Sequence, residues 1–347
     1  MTAAKTSKKK RSKRRTPLLF VLLLALVGLT IDVVWQLTAP LPIAAAITFD
    51  VIPGSRFDRN LSKLYGLGYF RSARQGLYLA AYGRIGGAAA AIKAGEYALQ
   101  PGLTPLGLLA LWQSGKSVLH ELRLIEGWRF SQAWNVINSS PDLTHTLGSA
   151  SAEQLMQALG RGDIAAEGRF FPDTYRFPKG MTDIAFLKNA NSALEKILQS
   201  EWAQRAPDLP YESADQALIM ASIVEKESAR ADEREQIAGV FLRRLKIGMR
   251  LQTDPTVIYG LGDAYDGDIR SRDLARDTPY NTYTRGGLPP TPICLPSREA
   301  IHAALHPADG DTLYFVARGD GSHQFSATLD EHNAAVRRLL QKTGDKR

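Results

Sequence analysis

The sequence predicts an α+β protein: one N-terminal transmembrane helix, a small first unit of strands and helices, and a larger mixed α/β unit holding the candidate site. Three observations predict it. A basic tail runs into a long apolar stretch. Beyond that, alternating runs closed by Pro-Gly or Gly-rich turns are interleaved with amphipathic runs at helical spacing. No internal repeat is visible in the 347 residues.

The tail, residues 1–16, reads MTAAKTSKKKRSKRRT and holds eight Lys or Arg and no acid. The whole chain carries a formal charge of +8, so the remainder is neutral. The basicity is a tail rather than a surface-wide field, which argues against nucleic acid as the main partner. Residues 17–37, PLLFVLLLALVGLTIDVVWQL, contain one charge, Asp32. At ~1.5 Å per residue, 21 residues span a ~30 Å hydrocarbon core. A cleavable signal has a shorter apolar run before small residues. APLPIAAA downstream offers such residues, but Val33, Val34 and Trp35 extend the run, and Trp suits the interface. The expectation is an uncleaved single-pass anchor with Asp32 reaching headgroups. The positive-inside bias puts the tail in the cytoplasm and the rest outside. The single cysteine, Cys294, excludes an intramolecular disulfide and reads as a buried small hydrophobe.

Residues 38–47 read as a juxtamembrane linker. The first unit is expected over 48–117. ITFDVIPGS alternates as a strand, FDRNLSKLYGLGYF has helical spacing, and IKAGEYALQPG is a second strand. TPLGLLALWQSGK starts a helix at Thr104-Pro105 and stops it at Gly115. The second unit is expected over 118–347. VLHELRLIEG reads as a strand; WRFSQAWNVINSS and SAEQLMQALG read as helices. GRFFPDTYRFPKG has four aromatics in thirteen residues and reads as irregular. DIAFLKNANSALEKILQSEWAQRA is a long amphipathic helix. Ser213 to Gln216 and Asp232 to Glu235 have capping-box form and open two further helices. LQTDPTVIYGLG and DTPYNTYTRGGLPPTPI read as loops and SREAIHAALHPADG as a helix. TLYFVARGDGSHQFSAT reads as a hairpin and LDEHNAAVRRLLQKTG as a closing helix.

Metal chemistry finds little support in the sequence, and the expectation is no metal and no cofactor. His302 and His306 stand four apart without an obvious third ligand. His306 precedes Pro307, so it reads as a helix C-terminal histidine favoured by the dipole. The chemistry falls on ASIVEKES, residues 221–228, which carries Glu225 and Glu227. Residues two apart on a helix point about 200° apart, so these two cannot serve one site as a carboxylate pair. Glu227 has Arg230 three residues on as a surface partner. Glu225 has Ala221 and Ala229 four residues either side, and apolar surroundings raise a carboxyl pKa as a general acid requires. Surface charge at a helix end is the bland reading of both.

These segments, ASIVEKES, VFLRRLKIGMRLQTDPTVIYG, YNTYTRGGLPPTPI and EGRFFPDTY, together resemble the endolytic murein transglycosylase family, the YceG-like proteins. The likeness runs in order over most of residues 125–333. It implies cleavage within peptidoglycan glycan strands, between MurNAc and GlcNAc, leaving 1,6-anhydroMurNAc ends. It also implies action on nascent strands at the inner membrane of the cell, a periplasmic catalytic domain, and peptidoglycan synthases as candidate partners. AGEYALQPG and LLALWQSGK look like a LysM-like subdomain. The family's catalytic glutamate is carried over to Glu225, with Glu227 supporting. One carboxyl suffices because the sugar's own C6 hydroxyl is the nucleophile, whereas hydrolysis ordinarily needs two carboxylates. Gln252, Thr253 and Asp254, with Asn281 and Tyr283, are candidate substrate contacts. Their bland readings are an Asx-turn at Asp254-Pro255 and a loop anchor at Asn281. The rival readings are a non-catalytic peptidoglycan-binding scaffold and a hydrolase pairing Glu225 with a distant carboxylate such as Asp254.

Overall fold

A computed structural model of the chain describes residues 15–228 and 230–344. The basic run at 1–14 and Ala229 lie outside the described residues. The chain divides into two compact units, one up to Leu119 and one from His120 onward.

The first unit begins with α1 (Arg15–Thr38). Its stretch Leu19–Thr38 has a mean hydropathy of 2.2, is only 6% buried, and is long and apolar enough to cross a membrane. β1 (Ile47–Val51) follows, then α2 (Phe57–Gly66), α3 (Ala73–Ile85), β2 (Gly95–Leu99) and α4 (Pro105–Ser114). β1 and β2 pair antiparallel from Ile47↔Leu99 to Val51↔Gly95. Alternation puts Phe49, Val51, Tyr97 and Leu99 on one buried face, where they meet Leu64, Leu79, Leu108 and Trp112. Thr104 caps α4 by accepting from Gly107 N, and Pro105 stands at the first helical position, where its missing N–H costs nothing.

The linker expected at 38–47 is instead packed. Leu37, Ala39, Leu41 and Ile43 are buried in the first unit. Leu41 N donates to Leu103 O at 2.8 Å. Asp32, the one charge of the apolar stretch, is engaged within the first unit. It pairs with Arg74 at 3.1 Å and accepts from the Tyr78 hydroxyl at 3.0 Å, both on α3. The alternating apolar residues around two prolines are what dock this stretch, a pattern easily read as linker.

The second unit contains β3 (Leu119–Arg123), α5 (Phe130–Ser139), β4 (Leu143–Thr144) and α6 (Ala152–Ala158). Next come β5 (Thr174–Pro178), β6 (Met181–Thr182) and α7 (Asp183–Ala203). Then follow α8 (Ala214–Glu227), α9 (Arg234–Lys246), α10 (Asp254–Leu261) and α11 (Ser271–Ala275). The chain closes with α12 (Arg298–Leu305), the strands β7 (Tyr314–Ala317) and β8 (His323–Ser326), and α13 (Leu329–Gly344). The strands form two-stranded pairs, β3 with β5, β4 with β6 in parallel, and the β7–β8 hairpin. One core gathers α7, α8, α9 and α12; another gathers β3, α5, α6, β5 and the start of α7.

α8 is apolar all round from Ala217 to Val224 because helices pack on several sides of it. Its start follows the sequence: Ser213 accepts from Gln216 N. The second capping box does not form. Residues 231–233 make a short 3-10 turn, and Asp232 is engaged by Arg230, so α9 starts at Arg234 without a side-chain cap. Two segments expected as irregular are ordered. Thr174–Pro178 in the aromatic run is a strand, with Phe170 and Phe177 fully buried. DPTVIYGL is α10, whose first turn accommodates Pro255.

Candidate active site

The last turn of α8 fans three side chains apart. Glu225 turns toward α12. Its carboxylate accepts from Ser297 N at 3.0 Å and Ser297 Oγ at 2.5 Å. It also pairs with Arg234 at 3.3 Å, the two side chains being 6% and 12% exposed. Lys226 Nζ reaches Gly127 O at 3.4 Å. Glu227 turns away from both and accepts from the Thr253 hydroxyl beside α10. The angular argument of helix geometry therefore describes the arrangement: the two glutamates serve different neighbourhoods.

The environments expected for each are exchanged. Glu225 was expected among apolar neighbours; it sits instead in a buried ion pair backed by two hydrogen bonds to Ser297. Arg230, the expected partner of Glu227, is taken by Asp232 at 2.6 Å and Glu233 at 3.7 Å. Glu227 lies half-buried in a recess shared with Thr253, Asp254, Arg244 and His323. Burial pushes its carboxyl up to about 7, and the nearby Asp254 charge adds to the rise. The Thr253 hydrogen bond, His323 and Arg244 offset part of it.

The walls of this recess are held rigidly. Arg244 is buried, donating from Nε to Leu313 O at 2.6 Å and from Nη1 to Leu251 O at 2.6 Å. The His323 ring contacts Glu233 at 2.7 Å, and its backbone N donates to the same carboxylate at 3.0 Å. Thr253 is 2% exposed and its N–H donates to Thr282 Oγ1 at 3.1 Å. Asp254 accepts from the Tyr283 hydroxyl at 2.6 Å. Gln252 has φ +49, and its N–H donates to Thr282 O at 3.2 Å while its side chain stays exposed.

Of the five expected substrate contacts, Thr253, Asp254 and Tyr283 gather around Glu227, and Gln252 stands next to them. Asn281 belongs to the loop instead. It is 1% exposed; its amide donates to Arg276 O at 2.7 Å and Leu274 O at 3.0 Å, and its oxygen accepts from Tyr283 N at 2.8 Å. These bonds make Asn281 the loop anchor that sets Tyr283, as its bland reading has it. Arg244, His323, Arg234 and Ser297 escaped the sequence reading. The short distance of Arg234 from Glu225 along the chain was the one available hint.

Another buried carboxylate, Glu167, stands on the loop before β5 and meets α10 through Tyr259. Glu167 accepts from Phe130 N at 2.8 Å and from the Tyr259 hydroxyl at 3.0 Å. Burial raises its pKa, and those donors pull against the rise. The Arg129 guanidinium lies 5.1 Å over the Tyr259 ring. A cleft of about 410 Å³, lined by Arg129, Ser131, Glu153, Glu167 and Tyr259, opens there. Cys294 is fully buried with its thiol donating to Ser222 O at 3.3 Å, and burial raises its pKa, so it is structural.

Three similarities bear on this site. The chain is 40% identical over 185 residues to an endolytic murein transglycosylase of Bacillus subtilis (strain 168), covering 52% of this chain and 49% of that one. It is 29% identical over 279 residues to the endolytic murein transglycosylase of Streptococcus pneumoniae serotype 2, covering 71% and 50%. The chain thus spans about half the length of the curated relatives it matches. The crystal structure of a yceG-like protein from Listeria monocytogenes superposes with a TM-score of 0.52 at 30% identity, covering 84% of this chain and 99% of that one. The sequence pattern of the YceG-like family matches residues 49–338, so the chain belongs to the YceG-like family.

Proposed function

We propose that the chain is an endolytic peptidoglycan lytic transglycosylase and that Glu227 is its single acid and base. The observation that carries the reading is the half-buried Glu227 carboxyl, raised to about 7 and facing Thr253, Asp254 and Tyr283. A group balanced near neutrality can give a proton and then take one back. Protonated Glu227 donates to the glycosidic oxygen as the bond from MurNAc C1 to GlcNAc breaks. The resulting carboxylate then takes the proton of the MurNAc C6 hydroxyl as O6 bonds to C1. The products are a 1,6-anhydroMurNAc end and a free GlcNAc hydroxyl; no water is consumed, and Glu227 ends protonated as it began. Glu225 has the positioning part in this scheme, tying α8 to Ser297 and Arg234.

A hydrolytic reading has one specific observation in its favour: Asp254 lies close enough to Glu227 to perturb it, so a two-carboxylate pair is conceivable in outline. Against it, Asp254 is already engaged by the Tyr283 hydroxyl at 2.6 Å. Mass analysis of digested glycan strands separates the two. Lytic ends are lighter than hydrolytic ends by one water.

The first unit is proposed as a LysM-like glycan-binding module, supported by its strand–helix–helix–strand order around one antiparallel pair. α1 is proposed as a single-pass anchor in the cytoplasmic membrane, N-terminus inside and the site in the periplasm, supported by its apolar stretch and the basic tail before it. Nascent strands and peptidoglycan synthases are then the natural substrate and partners.

A further inference from the structure

We propose a zinc site that joins the C-terminal ends of α7 and α12, with Glu201, His302 and His306 as its three protein ligands. The two histidines alone lacked a third ligand in the sequence; the fold supplies it from a helix about a hundred residues earlier. One donor atom from each residue lies within 4.8 Å of the other two. Glu201 Oε2 is 2.8 Å from His302 Nδ1 and 3.9 Å from His306 Nε2. The two imidazole rings stack at 4.3 Å with 23° between their planes, both turned to one carboxylate oxygen. A tetrahedral ion with bonds of ~2.0–2.1 Å needs donors ~3.4 Å apart and lies in the plane of each imidazole, so closing the set asks at least one of the stacked rings to turn.

The frame is already set. Ala206 N donates to Leu305 O at 2.9 Å and the Tyr211 hydroxyl to Ala304 O at 3.1 Å, fixing the end of α12 against the segment after α7. Glu201 is 14% exposed while His302 is 47% exposed, so the carboxylate is held and an imidazole edge stays open to solvent. Arg298 approaches the other carboxylate oxygen, Oε1, at 3.7 Å, leaving Oε2 to the histidines. The carbonyl end of α12 favours a cation there. Two nitrogens and one carboxylate oxygen, with a fourth position left for water, suit zinc rather than calcium or magnesium, which take oxygen sets. The bland account of the same residues is a pair of helix-end histidines in salt bridges with Glu201, and it makes no demand on metal.

The two accounts separate by calorimetric titration of the detergent-solubilised full chain, stripped of metal, with zinc chloride at pH 7.5. The site is expected to take one zinc per chain. Saturating zinc is expected to raise the Tm by roughly 5 °C. His302→Ala/His306→Ala and Glu201→Gln are each expected to weaken binding by at least ~tenfold and to abolish the Tm rise. Magnesium is expected to do neither. Absence of binding, or binding and a Tm rise unchanged in both variants, would overturn the site. Because none of the three residues lies in the glycan-cleaving recess, retained glycan cleavage by the variants reports that they are folded.

Discussion

Glu225 and Glu227 sit two residues apart, and their roles divide on what each carboxylate touches. The Glu225 carboxylate is fixed by a buried arginine and two donors from Ser297. A carboxyl half-buried beside Asp254 and raised to about 7 suits a proton donor, the part proposed for Glu227. Glu227→Gln is therefore expected to fold and to lose at least ~100-fold in kcat, measured on isolated glycan strands. Activity of wild type, as kcat/KM, is expected to fall about tenfold per pH unit above ~7, because the acid form is the competent one. The same shift bears on stability. The folded pKa lies above the usual 4.5, so the protonated carboxyl favours the fold fully below that value, and the contribution fades as pH rises to about 7. That slope is expected to disappear from urea-denaturation curves of Glu227→Gln. Glu225→Ala acts otherwise: it leaves Arg234 buried without its partner and is expected to cost about 3 kcal/mol in the same measurement. The spacing of the two glutamates was readable from sequence, but their environments were not. Ser297 and Thr253 are brought in from 72 and 26 residues away, and nothing local to ASIVEKES announces either.

Elements position these residues, and local sequence described most of them. Ser213, Thr104 and Ser297 each cap the helix they precede. The alternation of β7 and β8 around Gly-Asp-Gly-Ser made the hairpin legible. α10 was misread because Thr-Asp-Pro suits a turn as well as a helix start, and only the packing of Thr256 and Val257 decides between them. The second capping box does not form: Arg230 engages Asp232, and residues 231–233 turn as a 3-10 helix ahead of α9. Gly168 shows how tightly an element can be tied to the site. It has φ +74, and a Cβ there would come within 2.4 Å of Pro292 Cβ and 3.1 Å of Cys294 O. Gly168→Ala is expected to destabilise the second unit by about 2 kcal/mol or more, read from the urea midpoint. The loop carrying Glu167 would shift with it.

For the molecule as a whole, an N-terminal apolar helix ahead of mixed helices and strands was legible from composition and turn placement. The packing that follows this helix was not, since proline and alanine at 38–47 look like a tether until their apolar neighbours are seen buried. Leu37 on α1 belongs to the core of the first unit, and Gln36 accepts from the Ser72 hydroxyl at 3.1 Å. Truncation to residues 38–347 removes both. The truncated protein is expected to lose several degrees of Tm in its first transition relative to the full chain in detergent, measured by calorimetry. For the same reason the full chain is the right enzyme for product analysis. The most direct measurement is mass analysis of purified glycan strands digested by the full chain and by Glu227→Gln. Strands ending in 1,6-anhydroMurNAc from wild type, with no cleavage by the variant, are the expected result; reducing ends from wild type, or undiminished cleavage by Glu227→Gln, would contradict it.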